Sequence, residues 1–401
     1  MVWPHHIVMR PSFSEAAEGT MPSYIMGLVE VAERPGMISF ATGLPDNSFF
    51  DTEGLRGSVD RVLSGDGACP ALQYGATAGF RPLREKIAER CRSELGFEAS
   101  ADDVFMTNGS QECFDQLGRM FLNRGDTMAV ENPGYLGALQ SFSSYGPIFR
   151  AVEMTDDGPD GEMLSDSVES GAKMFYSIPN FQNPSGRSYS RSARLSVSKI
   201  IEGSGCLLVE DDAYGELGYN GRPGSTIKSM APEDTVLLGS FSKTISPGMR
   251  VGWMVVPDWM KEVANRSIEA ASLQSGSFSQ RVIDDFLSNN DYEEYLSSLR
   301  RGYKHKKRIF LDAMEDRLPE AMRWNDPAGG MFIWLRSPDG TDAMKLFELA
   351  LDKGLVTMPG RPFHIEGGEN TVRLNFATPS AGEIEDGMKI LGGVCRDLYC
   401  L

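Results

Sequence analysis

Short apolar runs, each closed by a polar cluster with Gly or Pro, recur along the middle of the chain. Val104-Phe105-Met106 runs into Thr107-Asn108-Gly109-Ser110-Gln111 and then into helical spacing through Phe121. Met128-Ala129-Val130 runs into Glu131-Asn132-Pro133-Gly134-Tyr135 and a helical segment through Phe142. Met174-Phe175-Tyr176 leads to Pro179–Gly186 and a helix through Ile201, and Leu207-Leu208-Val209 leads to Glu210-Asp211-Asp212-Ala213-Tyr214. Thr235–Trp253, TVLLGSFSKTISPGMRVGW, closes the series. There Val236-Leu237-Leu238 ends in Ser240-Phe241-Ser242-Lys243, and a Pro247-Gly248 turn leads through Arg250 to the Val251–Val256 run. Such short runs, apolar at consecutive positions, read as strands buried on both faces. Their alternation with helices predicts an α/β fold with a mainly parallel sheet covered on both sides. Ligands of open α/β sheets sit outside the carboxyl ends of the strands, so these five polar clusters should converge on one pocket.

The flanks read differently. Ser23–Ala32 has helical spacing, Met37–Phe40 reads as a short strand, and Ala41-Thr42-Gly43-Leu44-Pro45 breaks it. A polar stretch with Gly65 and Gly67 leads to Leu72-Gln73-Tyr74-Gly75, a loop with an isolated tyrosine, and Arg81–Leu95 follows as an amphipathic helix. Beyond Trp253 the rhythm loosens. Helices are predicted over Asp258–Ala271 and, as one long stretch, over Gln280–Lys307; further helices cover Asp342–Lys353 and Glu383–Leu398. Strands are predicted within Trp324–Leu335, at the start of Val356–Phe363 and over Thr371–Phe376. This texture suggests a smaller α+β domain.

Composition narrows the partners. Over 401 residues the formal net charge is −17, which argues against nucleic acid and anionic membranes. No stretch approaches the ~20 apolar residues of a membrane span, and the N-terminal MVWPHHIVMRPSF lacks a long apolar run followed by a cleavage site. The six cysteines are scattered without a CxxC pair and read as reduced thiols. The four histidines make no plausible metal site. A cytoplasmic protein is expected.

A lysine at the end of a buried strand is costly unless it is neutralised or its chemistry is used. Around Lys243 stand Ser240, Ser242 and Arg250, donors that suit an anionic group such as a phosphate. Ser110 and Gln111 follow a glycine at a predicted helix start, where free N–H groups can hold a phosphate or the serine can simply cap the helix. Asp211 can pair with a protonated ring nitrogen or serve as a cap, and Tyr214, three residues on, can donate to a ring oxygen. Tyr135 can stack on a flat ring or pack its loop, and Asn183-Pro184-Ser185-Gly186 can be a plain turn. Arg373 alternates with apolar neighbours and should point inward, suited to bidentate recognition of a carboxylate or to a structural salt bridge. Taken together these residues describe one ligand, a flat heteroaromatic aldehyde phosphate bound covalently to Lys243.

With S-x-S-K-x-x-x-P-G-x-R, N-P-x-G and D-x-x-Y in this order, the chain resembles the class I/II aminotransferases of pyridoxal-phosphate fold type I. Within them it resembles the branch of the 2-aminoadipate and kynurenine aminotransferases and of MocR regulators. The resemblance runs from Ile38 to Arg373 and implies an aminotransferase that moves the amino group of an α-amino acid to a 2-oxo acid. It implies that Lys243 bonds the cofactor and shuttles a proton, Asp211 keeps the ring nitrogen protonated, Asn183 and Tyr214 hold the phenolic oxygen, and Tyr135 stacks. Ser110, Gln111, Ser240, Ser242 and Arg250 would hold the phosphate, with Tyr74 reaching across a homodimer. Arg373, with Gly43 and Asn183 nearby, would bind the substrate. The implied division is an arm and small-domain segment over 1–46, a large cofactor-binding domain with a seven-stranded-type sheet over 47–290, and a small domain over 291–401. Thr42 stands where the family often has glycine, and Ser185 replaces the commoner threonine. Arg361 and His364, in a loop like the family's Pro-Gly loop, are candidate side-chain selectors. The same scaffold also serves elimination, replacement, cyclisation, decarboxylation and oxidation. A MocR-type sensor would carry a helix-turn-helix domain, and no such motif precedes Ile38.

Overall fold

A computed structural model describes residues 11–399. In chain order the strands are β1 Ile38–Ser39, β2 Val104–Thr107, β3 Thr127–Asn132, β4 Ile148–Glu153, β5 Met174–Ser177, β6 Leu207–Asp211 and β7 Thr235–Ser240. They continue with β8 Gly252–Val255, β9 Arg323–Trp324, β10 Phe332–Arg336, β11 Leu355–Val356, β12 Met358–Pro359 and β13 Thr371–Asn375. Seven of them form one sheet in the order β2-β8-β7-β6-β5-β3-β4. All its strands run the same way except β8, which is antiparallel to both neighbours.

The consecutive apolar positions are shared between two faces. Val236 and Leu238 join one hydrophobic cluster and Leu237 another; Met174 and Tyr176 face one way and Phe175 the other. Helices Ser110–Phe121, Leu136–Ser143 and Lys261–Ser272 cover the first face. On the second lie Arg81–Arg90 and Ser277–Asn289 towards the β2 edge, and Gly161–Glu169 and Arg191–Ile201 towards β4. A strand with apolar side chains on both sides has no solvent face, which is why these runs lack alternation.

The second body holds the antiparallel sheet β12-β13-β10-β9 and the parallel pair β1-β11. Helices Ala343–Asp352 and Ala381–Tyr399 pack on it. The stretch expected as one helix over Gln280–Lys307 is two, Ser277–Asn289 and Tyr292–Arg317. Asp291 starts the second by accepting the Glu294 N–H at 3.0 Å, a capping competition that outweighs the continuous apolar spacing. This second helix gives Leu296, Leu299 and Tyr303 to the large-sheet cluster and Phe310 and Met314 to the small one. It therefore fixes the two bodies to each other. Among the described residues no helix is long and apolar enough to cross a membrane.

Candidate active site

The carboxyl ends of β2, β3, β5, β6 and β7 open into one cleft. At one end lie the donors. The Ser240 hydroxyl donates to Ser242 Oγ at 2.9 Å and accepts the Ser242 N–H at 3.1 Å. Arg250, in a left-handed backbone conformation at φ +54°, donates from Nη2 to the Asn108 carbonyl at 2.9 Å. It has no carboxylate partner among the described residues. Gly109 adopts φ +79°, and a Cβ there would sit 2.5 Å from Arg250 Nη2, so only glycine lets the guanidinium lie against this turn. The helix Ser110–Phe121 starts here, leaving the N–H groups of Ser110 and Gln111 without helical acceptors. The Gln111 side chain turns away and donates to the Gly137 carbonyl at 2.9 Å. What Gln111 can offer a ligand is therefore its backbone N–H.

Lys243 stands at the cleft wall, half-buried, and donates from Nζ to the Gly43 carbonyl at 2.8 Å. Desolvation, helped by the positive charges of Arg373 and Arg250, pushes its amine down to about 8. Asp211, which also lines the cleft, is buried, and burial pushes its carboxyl up to about 6 against hydrogen bonds from Tyr176 and the Ala213 N–H. Tyr214 places its ring 5.9 Å from Lys243 Nζ, and its hydroxyl accepts from Asn183 Nδ2 at 3.4 Å. Tyr135 lines the same cleft, its ring 6.2 Å from Phe114.

Arg373 lies behind Asn183 and is 1% exposed. Its Nη1 donates to Asn183 Oδ1 at 2.9 Å, its Nη2 to the Ala41 carbonyl, and its Nε has no partner among the described residues. The guanidinium lies 4.6 Å from the Phe332 ring and 5.1 Å from Phe363. Burial pushes it down to about 10. The carbonyls of the segment Ala41–Leu44 all receive side-chain donors: Ala41 from Arg373, Thr42 from Asn375, Gly43 from Lys243 and Leu44 from Thr378 Oγ1 at 2.7 Å.

The structure thus brings Ser110, Gln111, Tyr135, Asn183, Asp211, Tyr214, Ser240, Ser242, Lys243 and Arg250 to one cleft, with Gly43 and Arg373 at its edge. Tyr74 stands apart, 77% exposed. Arg361 and His364 do not line the cleft: Arg361 pairs with Glu369 at 3.5 Å and donates to the His364 carbonyl, while His364 packs against Trp334. Two supporting residues escaped the sequence reading. Glu131 accepts from Ile178 N at 3.0 Å, Gln182 Nε2 at 2.7 Å and the Tyr189 hydroxyl, fixing the turn that carries Asn183. Tyr176 holds Asp211. Strand alternation places Tyr176 on the Asp211 face, a signal available from the sequence once β5 and β6 are paired.

Residues 68–391 match the family model for aminotransferase class I and II. The chain belongs to this family. It is 34% identical to aromatic-amino-acid aminotransferase 1 of Thermococcus litoralis, over 96% of this chain and 94% of that one. It superposes with TM-score 0.89 on the Thermus thermophilus α-aminoadipate aminotransferase complexed with N-(5'-phosphopyridoxyl)-L-leucine, 34% identical, covering 97% and 98% of the two chains. The Pyrococcus horikoshii kynurenine aminotransferase gives TM-score 0.91 at 34% identity, covering 96% and 97%. This aminotransferase uses pyridoxal phosphate to transfer amino groups. Its cleft fits that cofactor. An Arg250 without a carboxylate, free helix-start N–H groups and paired serine hydroxyls suit a phosphate dianion, and the buried Asp211, turned from solvent, suits a cationic ring nitrogen.

Proposed function

We propose that the enzyme binds an α-amino acid through Arg373 and transfers its amino group to a 2-oxo acid, with Lys243 as the catalytic base. The observation that carries this is one cleft lined by Lys243, by Arg250 with the serine donors and by Asp211, with a buried cation, Arg373, bonded to Asn183 in its wall. Bound there, pyridoxal phosphate supplies a carbonyl carbon that takes up the amino group and a ring that accepts the electron pair freed at the α-carbon. Ser110, Gln111, Ser240, Ser242 and Arg250 hold its phosphate. Asp211, as carboxylate, would hold the proton on the ring nitrogen; Asn183 and Tyr214 would hold the phenolic oxygen, and Tyr135 would stack on the ring. Lys243 Nζ would take the α-proton, and an amine lowered to about 8 keeps roughly a tenth of its population as free base at neutral pH, far more than an ordinary lysine. Arg373 offers its unpartnered Nε to the substrate α-carboxylate. Gly43, whose carbonyl tethers Lys243, borders the substrate.

We further propose a cytoplasmic homodimer in which Tyr74 reaches the partner's phosphate site; its exposure on its own chain supports this. We also propose that the chain divides into an arm and small-domain segment over 1–46, a large domain over 47–290 and a small domain over 291–401. The aromatic, kynurenine and 2-aminoadipate substrates named for the relatives are the first donors to test. Visible absorption of the purified enzyme, titrated with these amino acids, tests the reading. The expected result is conversion of the lysine-bound cofactor to pyridoxamine phosphate, reversed by a 2-oxo acid and absent in Lys243→Ala. Consumption of the amino acid without pyridoxamine phosphate would overturn it.

A further inference from the structure

Tyr176 sits in the middle of the large sheet, fully buried, with its ring edge-on to Phe114 at 5.4 Å and to Phe142 at 6.1 Å. Apolar packing of this kind places a side chain but does not call for a hydroxyl. The register sets Tyr176 beside Val209, and alternation along β6 then puts Val209 and Asp211 on the same face as Tyr176. The hydroxyl donates to Asp211 Oδ2 at 2.8 Å, while Oδ1 takes only the longer Ala213 N–H bond at 3.3 Å. A phenol so buried keeps its proton, since burial and the neighbouring Asp211 charge both push its ionisation well above the ordinary tyrosine range. It is therefore a fixed donor. A donor on a carboxylate favours the charged form, whereas a desolvated carboxyl without one takes up a proton.

We propose that Tyr176 is a positioning residue that keeps Asp211 a charged, aimed carboxylate, so that the proton shared with the cofactor stays on the ring nitrogen. This rests on the pairing of Asp211 with that nitrogen. Two arrangements compete for one proton: carboxylate with protonated ring, or carboxylic acid with neutral ring. The Tyr176 hydroxyl stabilises the first more than the second, because a charged acceptor takes the stronger hydrogen bond. Its removal weakens the grip on a nitrogen-containing ring and leaves the phosphate and phenolic-oxygen contacts in place.

The experiment compares Tyr176→Phe with the parent protein for binding of pyridoxal phosphate and of an analogue with carbon in place of the ring nitrogen. Phenylalanine retains the packing on Phe114 and Phe142. The expected result is affinity for pyridoxal phosphate lower by about tenfold, as for a hydrogen bond to a charged group, and affinity for the analogue changed less than about twofold. With 15N-labelled cofactor, the ring nitrogen signal should move towards the unprotonated position in the variant. Equal losses for both cofactors, or an unmoved nitrogen signal, would overturn the proposal. Asp211→Asn separates the two layers. If it too fails to distinguish cofactor from analogue, the pairing of Asp211 is wrong; if it distinguishes them and Tyr176→Phe does not, only the role of Tyr176 falls.

Discussion

Arg373→Gln tests how the substrate is held. Arg373 is a buried cation with two neutral acceptors, an unpartnered Nε and no carboxylate partner among the described residues. Holding its charge with an ionisation at about 10 rather than 12.5 costs roughly 3 kcal/mol relative to water. A substrate carboxylate arriving there recovers that order of energy, and truncating one partner of a buried charged pair typically costs about 2–5 kcal/mol. At about 1.4 kcal/mol per factor of ten, the variant should lose roughly 30- to 3,000-fold in kcat/KM for its amino acid. The assay is the single-turnover reaction followed through the cofactor absorbance, run with the amino acid and with the amine that lacks its carboxylate. The amine should react with both proteins at rates within about threefold, because it has no group for Arg373 to hold. A 2-oxo acid should raise the melting temperature of the parent pyridoxamine form and not that of the variant. Equal losses for amino acid and amine would refute the clamp and mark Arg373 as structural support.

Further outcomes follow from the same geometry. Lys243 is a base lowered to about 8, so its free amine predominates above that pH; stopped-flow capture of pyridoxal phosphate by the cofactor-free enzyme should accelerate about tenfold from pH 7 to 9 and level off there. A rate already flat at pH 7 contradicts this. Gly109→Ala combines a left-handed backbone with a Cβ against Arg250, and a strain of about 1–3 kcal/mol should weaken cofactor affinity roughly 5- to 150-fold, read by fluorescence titration. If Tyr74 crosses to the partner, Tyr74→Ala and Lys243→Ala proteins, each impaired alone, should regain activity when mixed and allowed to exchange subunits. Mixtures that stay inactive while forming mixed dimers rule the crossing out.

Strands β2, β3, β5, β6 and β7 were legible because each is a short apolar run ending in a polar cluster, and the same clusters supplied the cleft. What escaped has physical causes. Strand β4 lies at the sheet edge with only Val152 buried, so Ile148–Glu153 carries no continuous apolar signal. Helix Thr52–Val62 buries only Ser58 and has little apolar face to detect. The break at Asn290-Asp291 depends on a cap, which hydrophobic spacing does not register. The lysine, aspartate and arginine of the site were readable from local motifs. Tyr176 and Glu131 act through strand pairing and a distant turn, and neither relation is local in sequence.

The extended segment Ala41–Leu44 gives the site an unusual freedom to diversify. Arg373, Asn375, Lys243 and Thr378 all grasp it by backbone oxygen, and a backbone oxygen is the same whatever residue bears it. Even an alanine at 43 would bring its Cβ only into ordinary contact with the Phe332 ring, at 3.5 Å. Side chains along this segment can therefore change while the scaffold of anchors on its backbone stays the same. A site tethered through main-chain oxygens is thus insulated from the sequence of the strip that tethers it.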